Sequence, residues 1–342
     1  MRTILALVVA MSLAWAQNQT LQLYTWTDYI DPSIVRDFEQ ATGIKVRITY
    51  YESNEEMQAK LQAGGVSQFD LVVPSDFILP VLINLKLLQP LDKGKIPNLK
   101  NLDPKFANPP YDPGNRYTVG YLWGTVGLMY RTDIFKTPPA SWSVLFDPKE
   151  QKGPFTLMDS PREMLGIGQR YLGLSVNNTD PAQVRRVINT LLAAKQSRNF
   201  KGFQGGVSAT KLLLANQIVA AVVYNQDALR TAEGNPRYGF TIPREGSTLF
   251  IDSMAIPAKA PNPEAAHRFI NFILDAKIGA RLAEYQQSAT PNAAAKKLLK
   301  PEMLKNPAIW PTEAQMRVLE FILDQGSNNR VLDEAWTRVK SR

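Results

Sequence analysis

The chain of 342 residues has no cysteine and a single histidine, His267. Without cysteine, disulfides, thiolate metal sites and cysteine nucleophiles are excluded. One histidine also argues against a histidine-based metal cluster and against a Ser-His-Asp triad. No cofactor fingerprint or nucleophile motif is present, so we predict no metal, no cofactor and no enzymatic activity. We expect His267 itself to lie on a solvated helix face.

Long apolar runs are also scarce. Beyond the N terminus, no stretch reaches the roughly 18 apolar residues of a membrane-spanning helix. Residues 1–3 are a short basic start, the apolar run Ile4–Trp15 is too short to span a bilayer comfortably, and Ala14-Trp15-Ala16 resembles a signal peptidase site. We therefore interpret residues 1–16 as an export signal that is cleaved near Ala16, and we predict a soluble periplasmic protein. Retention by an uncleaved signal is the alternative.

Dense positive charge is absent, although 39 Lys and Arg against 31 Asp and Glu give a formal net charge of +8. A charge of this size would ordinarily suggest nucleic acid or an anionic membrane as a partner. The basic residues are dispersed, with no run denser than Arg185-Arg186 or Lys296-Lys297. No nucleic-acid-binding motif is present, so we predict no nucleic-acid partner and expect a monomer.

What is present is an ordinary globular composition, 44% hydrophobic with 24 Pro and 20 Gly, in a chain long enough for two domains. An apolar strand from Leu21 breaks off at Trp26-Thr27-Asp28-Tyr29, and a helix is predicted over Pro32–Thr42. Ligands of open α/β sheets bind beyond the carboxyl ends of strands. Aromatic faces beside a carboxylate suit a cation, but Trp26 and Tyr29 could equally fill space under the loop.

The same alternation continues along the chain. The next predicted elements are a strand at Ile44–Tyr51, a helix capped by Ser53 or Asn54 and reaching Leu61, a buried strand at Phe69–Pro74 and a helix over Ile78–Leu85. This βαβαβα order places Ser75 and Phe77, which follow the third strand, beside Trp26 and Tyr29.

The rest of the chain repeats this pattern after a long connection from Leu91 to Arg116. Its predicted elements are a β-rich, largely uncharged run at Tyr117–Tyr130, a short helix at Trp142–Phe146, a strand at Phe155–Met158, a helix capped by Asp180, a flexible surface loop at Asn199–Ser208, a buried strand at Ile218–Val223, a helical stretch at Glu264–Tyr285 broken near Asp275, and helices at about Thr312–Gln325 and Asn329–Lys340. Strand ends here present Ser160, Glu163, Tyr224 and Asn225, and a later β-rich segment presents Phe250 and Asp252.

Eight segments of the sequence carry a family resemblance. They are Tyr24–Ile30, Thr42–Val46, Tyr51–Met57, Asp70–Ser75, Asn101–Pro104, Tyr121–Gly124, Asp252–Pro257 and Thr290–Asn292. In this order they resemble the periplasmic spermidine/putrescine-binding proteins of ABC importers, and the resemblance covers essentially the whole mature chain. It implies an α/β, two-lobed periplasmic solute-binding protein fold, in which each lobe is a mixed sheet flanked by helices and hinge crossings join the lobes.

The resemblance, together with the strand and helix alternation on both sides of Tyr117–Tyr130, predicts the domain limits. We expect an N-terminal lobe of residues 17–124 plus 251–296 and a C-terminal lobe of residues 125–250 plus 297–342, with the ligand between them.

The resemblance also implies a set of ligand contacts. Seven positions match the family in identity or class: Trp26, Thr27, Asp28, Tyr29, Ser75, Glu163 and Asp252. Phe77, Tyr224 and Phe250 replace one Tyr and two Trp. Three positions depart, because Ser160 stands where the family has Asp, Ser288 where it has Tyr, and Ile322 where it has Gln. The departures remove one carboxylate and two polar contacts, so the sequence leaves open which polyamine, or which other solute, is bound.

Other interpretations of single residues stay open. Asp252 could cap a turn before Ser253, and Glu163 could be a surface partner of Arg162 or Arg170. Phe77 and Phe250 could be core residues. Rival functions are an enzyme using Glu163 and Asp252 as an acid/base pair, a ligand-presenting partner of a membrane sensor, and an importer protein for another solute such as an anion. The favoured function is capture of putrescine or spermidine for the permease and ATPase subunits of an ABC importer.

Overall fold

The structure is a computed structural model of the chain, and it describes residues 20–341. The predicted export signal at residues 1–16 lies outside the described residues. Within residues 20–341, no helix combines the length and the apolar character that crossing a membrane requires.

The strands and helices alternate along the chain. The strands are β1 (Thr20–Trp26), β2 (Lys45–Tyr51), β3 (Leu71–Val72), β4 (Thr118–Arg131), β5 (Phe155–Met158), β6 (Phe200–Gln204), β7 (Ala220–Tyr224), β8 (Tyr238–Thr241), β9 (Ser247–Ala255) and β10 (Leu319–Phe321). The α-helices are α1 (Pro32–Thr42), α2 (Asn54–Gln62), α3 (Leu79–Asn84), α4 (Ser143–Phe146), α5 (Pro161–Tyr171), α6 (Pro181–Lys195), α7 (Gly206–Leu214), α8 (Asn225–Ala232), α9 (Pro263–Ile273), α10 (Ala276–Gln286), α11 (Ala293–Lys296), α12 (Pro301–Leu304), α13 (Glu313–Met316) and α14 (Asn329–Ser341). Short 3₁₀ helices lie at Gly65–Ser67, Asp76–Ile78, Lys93–Lys95, Pro97–Asn101, Pro104–Phe106 and Gly326–Asn328.

The chain divides into two compact units. Unit 1 comprises the chain up to Leu122 with Asp252–Gln286 and Thr290–Leu299, and unit 2 comprises Trp123–Ile251, Gln287–Ala289 and the chain from Lys300 onward. The chain passes between the units inside β4 and inside β9. The main limits lie within three residues of the predicted lobe limits, while the short return at Gln287–Ala289 was not predicted. That each unit is a separate functional lobe stays a prediction.

Unit 1 is built on parallel strands. β1 pairs with β2 from Thr20↔Lys45 to Trp26↔Tyr51, and with β3 at Leu23↔Leu71. β9 joins this sheet antiparallel to β3 at Val72. The predicted βαβαβα order is therefore correct, and the carboxyl ends of β1 and β3 lie at the same edge of the sheet.

Helix α1 shows how local sequence sets the first connection of unit 1. Asp31 caps the helix by accepting a hydrogen bond from the Ser33 N–H at 2.7 Å, and Pro32 occupies the first turn. Gly43 ends the helix with a φ of 73°, a left-handed conformation that favours glycine. Phe38, on the buried face, packs edge-on against Phe269 of α9. These limits are the predicted ones.

Unit 2 has a mixed sheet. β7 lies antiparallel to β4 and parallel to β5, β6 is parallel to β5, and β8 is antiparallel to β4. Helix α6 begins as predicted, because the Asp180 side chain accepts a hydrogen bond from the Gln183 N–H at 2.9 Å. Its stripe at Val184, Val187, Ile188 and Leu191 is buried against the core.

Two predicted elements of unit 2 are wrong. Asn199–Ser208, predicted as a flexible loop, contains β6 and the start of α7, and Gly202 allows the strand a φ of 107°. The helix predicted over Thr312–Gln325 ends at Met316, and Leu319–Phe321 is strand β10, parallel to β9. Both strands form through backbone hydrogen bonds to partners distant in sequence, which local propensity does not show.

The prediction for His267 is also wrong. His267 is only 4% exposed within α9, and its Nε2 accepts a hydrogen bond from the Asp92 N–H at 2.9 Å. Since a backbone N–H can only donate, Nε2 is the acceptor and Nδ1–H donates to the Pro263 carbonyl at 2.7 Å. The imidazole therefore ties a loop to a helix. The break near Asp275 is confirmed, because α9 ends at Ile273 and α10 begins at Ala276.

Asp112 organises the end of the long connection into β4. Its carboxylate is 2% exposed and accepts four hydrogen bonds, from the N–H groups of Arg116 (3.1 Å), Tyr117 (2.9 Å) and Thr118 (2.8 Å) and from the Thr118 hydroxyl (2.8 Å). One side chain thus satisfies three backbone N–H groups of a partly buried turn.

We predict that Asp112→Asn lowers the free energy of unfolding by about 1–3 kcal/mol, because the new amide N–H₂ would face a buried N–H donor. Urea denaturation at neutral pH measures the change. The matched variant Asp103→Asn removes a carboxylate that accepts one backbone hydrogen bond, from Lys105 at 2.9 Å, at a more exposed site and should cost about 0.5 kcal/mol or less. Equal losses in both variants would contradict this account of Asp112.

Candidate ligand-binding site

The ends of β1 and β3 in unit 1 are joined through side chains. Trp26, the last residue of β1, donates from Nε1 to the Val73 carbonyl at 2.9 Å. Tyr51 donates to the same carbonyl at 2.6 Å, and its ring centroid lies 4.6 Å from that of Trp26. The indole is therefore fixed at the sheet edge where a ligand was predicted.

Asp252 is the centre of the predicted contacts in unit 1. Its carboxylate is 4% exposed, and it accepts a hydrogen bond from the Tyr29 hydroxyl at 2.5 Å and one from the Ser75 hydroxyl at 2.6 Å. Three residues that are distant in sequence thus meet at one carboxylate. The alternative in which Asp252 caps a turn is wrong, because the residue lies inside β9.

The Asp252 carboxylate has hydroxyl partners but no cationic one. No ion pair found within residues 20–341 includes it. Burial raises the pKa of the Asp252 carboxyl from 3.8 to about 6, and the hydrogen bonds from Ser75 and Tyr29 only partly oppose the rise. Burial, followed by the Asp252 charge, also holds the phenol pKa values of Tyr29, Tyr51 and Tyr121 well above the ordinary value. The surroundings therefore favour a positively charged partner for Asp252.

The loop between β1 and α1 is held by its backbone. Asp28 adopts a left-handed φ of 56°, and its carbonyl accepts a hydrogen bond from Gln286 Nε2 at 2.8 Å. The Tyr29 carbonyl accepts one from the Tyr121 hydroxyl at 2.7 Å. Sequence reasoning missed both supporting side chains. Tyr121 belongs to a family-like segment, but nothing in the sequence marks Gln286.

Two further residues of unit 1 that were predicted to contact the ligand are close in sequence to Tyr29 and Ser75. Thr27 donates its hydroxyl hydrogen bond to Glu52. Phe77 is buried in the 3₁₀ helix that follows β3. The structure is compatible with Phe77 as a core residue, and its contact with a ligand stays a prediction.

The predicted residues of unit 2 begin at helix α5. Ser160 is the N-cap residue, but its hydroxyl makes no capping hydrogen bond. Glu163 lies in the first turn, is 2% exposed, and accepts a hydrogen bond from the Thr248 hydroxyl. Glu163 is therefore not a surface residue, and Arg170, one of the two partners considered for it, pairs with Glu320 at 2.6 Å.

Tyr224 and Phe250 form an aromatic pair in unit 2. Their ring centroids lie 5.2 Å apart with the planes 77° from parallel. Gly124 makes room for this arrangement, because a Cβ there would lie 2.8 Å from Phe250 Cζ and 2.3 Å from Asn225 Oδ1. Asn225 is itself buried, and its Oδ1 accepts a hydrogen bond from the Thr125 N–H at 3.1 Å.

Two positions that depart from the family pattern lie in unit 2. Ser288 is fully buried and donates to the Trp123 carbonyl at 2.9 Å, and Ile322 is buried. The structure thus brings together Tyr29, Ser75 and Asp252 in unit 1 and Tyr224 and Phe250 in unit 2. Contact of these residues with a ligand stays a prediction. Among residues 20–341 there is no group of three His, Asp or Glu side chains that could hold a metal ion.

The sequence matches the bacterial extracellular solute-binding protein family over residues 33–311. The chain belongs to this family. This solute-binding protein is 34% identical over 338 residues to the spermidine/putrescine-binding periplasmic protein of Escherichia coli. The aligned region covers 98% of this chain and 96% of that protein. It is 36% identical over 352 residues to the putrescine/cadaverine-binding protein of Pseudomonas aeruginosa, which covers 98% and 99%.

A solved structure supports the same family. The spermidine/putrescine ABC transporter substrate-binding protein of Streptococcus pneumoniae is 32% identical, covers 94% of this chain and 99% of that chain, and superposes with a TM-score of 0.79. The predicted two-lobed α/β fold of periplasmic solute-binding proteins is therefore confirmed.

The raised pKa of Asp252 predicts how the stability of the ligand-free solute-binding protein depends on pH. Between about pH 4 and pH 6 the Asp252 carboxyl is more protonated in the folded state than in the unfolded state, so its contribution to the free energy of unfolding falls as pH rises through this range. The fall is about 3 kcal/mol at most and levels off above pH 6. In urea denaturation, the free energy of unfolding of Asp252→Asn minus that of wild type should therefore increase from pH 4 to pH 7.

Tyr29→Phe serves as the internal control for this pH dependence. It removes a hydrogen bond that lowers the Asp252 pKa, so the fall in stability should extend to higher pH than in wild type. Superimposable pH profiles for wild type and Asp252→Asn would show that Asp252 does not titrate in this way.

Proposed function

We propose that this solute-binding protein captures a polyamine, putrescine or spermidine, outside the cytoplasmic membrane and delivers it to the permease and ATPase subunits of an ABC importer. The observation that carries the proposal is the buried Asp252 carboxylate, which has two hydroxyl donors, surrounding tyrosine rings and no ion pair within the described chain. The relatives are named for spermidine, putrescine and cadaverine, which are amines of one chemical class.

A primary ammonium group has the properties that Asp252 requires. A carboxylate offers about four lone-pair positions, and Tyr29 and Ser75 occupy two of them. An ammonium brings three donors and a full positive charge, so its hydrogen bond to the carboxylate contributes about 1.5–3 kcal/mol. A nearby aromatic face adds up to ~2 kcal/mol when the cation is desolvated.

Unit 2 offers a second set of groups of the same kind. Glu163 is a buried carboxylate with a hydroxyl partner, and Tyr224 and Phe250 supply aromatic surface. We propose that Glu163 serves a second ammonium group and that the rings contact the methylene chain, as a linear diamine requires. The remaining proposed contacts are Trp26, Thr27, Asp28, Phe77, Ser160 and Ser288.

The proposal extends to processing and assembly. Removal of the export signal near Ala16 would leave a mature protein that works outside the cytoplasmic membrane as a monomer, with no nucleic-acid partner. The dispersed basic residues and the family membership support this part of the proposal.

We predict that Asp252→Asn weakens binding of putrescine and spermidine by about 10²–10⁴-fold, because Asn is nearly isosteric but cannot neutralise a desolvated ammonium. Isothermal titration calorimetry measures the loss. The control is Asp70→Asn. Asp70 is also buried in unit 1, but it lies before β3, whereas the proposed contact Ser75 lies after β3. The Asp70 carboxylate accepts hydrogen bonds from the N–H groups of Gln22 and Asn262. Wild-type affinity in Asp252→Asn would remove Asp252 from the proposed site.

Ser160 generates a prediction about ligand length. A serine beside Glu163 supplies no charge, so a longer polyamine gains less from this region than it would from an aspartate. We predict that Ser160→Asp shifts the preference toward spermidine over putrescine by about 1–2 kcal/mol, the scale of one charge-assisted hydrogen bond. Titration of both amines into wild type, Ser160→Asp and the uncharged control Ser160→Asn measures the ratio. A ratio that is the same in all three proteins would show that Ser160 does not face the ligand.

A further inference from the structure

Unit 1 carries a basic pocket that is lined by none of the proposed amine contacts. The pocket has a volume of about 620 Å³, and four cationic side chains line it: Lys95, Arg268, Lys277 and Arg281. Asp275 is the one acidic residue among the described residues that line it. Its lining therefore has an excess of three positive charges, although the basic residues of the whole chain are dispersed.

Two of the four cations already have partners. Lys95 pairs with Glu264, and Arg281 pairs with Asp37 at 2.5 Å. Arg268 and Lys277 form no ion pair or side-chain hydrogen bond anywhere in residues 20–341. The pocket thus holds two cationic side chains that are not paired with any side chain of the described residues.

The acidic residue of the pocket is committed to the backbone. Asp275 Oδ1 accepts hydrogen bonds from the N–H groups of Lys277 at 2.9 Å and Ile278 at 3.2 Å, where α10 begins. Its carboxylate caps the helix, as acidic side chains commonly do. Asp275 forms no ion pair with Arg268 or Lys277 within residues 20–341.

We propose that this basic pocket binds a phosphate-bearing anion. An arginine presents a planar fork of donors that matches two phosphate oxygens, and a lysine supplies a compact positive charge. Phe272, which also lines the pocket, offers apolar surface for the organic part of an anion larger than phosphate. The same excess of positive charge disfavours a polyamine here, so the pocket is not a second copy of the proposed amine site.

The phosphate group could come from a free anion or from the headgroup of an anionic lipid, and two measurements distinguish them. The first is the melting temperature in sodium phosphate against sodium chloride at equal ionic strength, since a ligand that binds only the folded state raises it. The second is cosedimentation with vesicles of phosphatidylglycerol against vesicles of phosphatidylcholine. The variant is Arg268→Gln/Lys277→Gln, in which the apparent affinity for the bound source should fall at least about tenfold.

The control is Arg47→Gln/Lys60→Gln, which removes the same charge from unit 1 at positions that do not line the pocket. A phosphate-specific rise in melting temperature that is lost only in the pocket variant supports a free anion, and cosedimentation lost only in the pocket variant supports a lipid headgroup. Equal effects in both double variants, or no effect of either probe on wild type, would overturn the proposal. Putrescine titration should be unchanged in the pocket variant, so failure of the anion site and failure of the proposed amine site are separable.

Discussion

The buried carboxylate of Asp252 is the interaction on which the organisation of unit 1 depends. Transfer of an ionised carboxylate out of water is costly unless hydrogen bonds or an opposite charge compensate it. Tyr29 and Ser75 supply the hydrogen bonds, and in doing so they tie the ends of β1 and β3 to β9. Since no cation of the described chain pairs with Asp252, compensation is incomplete and the carboxyl pKa stays raised. A positive charge placed beside this carboxylate would stabilise its ionised form.

The groups around this carboxylate are positioned by contacts that involve no ligand. Gln286 donates a hydrogen bond to the carbonyl of Asp28, whose backbone is left-handed. Tyr121 donates one to the carbonyl of Tyr29. These hydrogen bonds fix the loop within unit 1, which would reduce the entropy that binding of the proposed ligand must remove. In the basic pocket of the same unit the charges are reversed. There, cationic side chains rather than a carboxylate are not fully balanced by groups of opposite charge. Unit 1 therefore carries two groups of side chains with opposite electrostatics.

The local sequence was sufficient for elements that carry their own start and stop signals. Asp31-Pro32 and Gly43 bound helix α1 at the predicted residues, Asp180 caps α6, and Asp275 marks the break between α9 and α10. Each of these signals acts within about four residues, so it depends little on partners distant in sequence. The sequence also identified the family, because eight short segments resemble those of the family and occur in the same order.

The tertiary structure alone decided features that depend on partners distant in sequence. β6 and β10 are strands because β5 and β9 offer them hydrogen bonds, and His267 is buried because the Asp92 N–H requires an acceptor. The same holds for the candidate site. The sequence by itself determined that an aromatic group, a hydroxyl and a carboxylate would follow strands of one sheet. Only the packed chain decided that Asp252 meets Tyr29 and Ser75 without a cation, because burial and hydrogen-bond partners are set by residues more than 170 positions away.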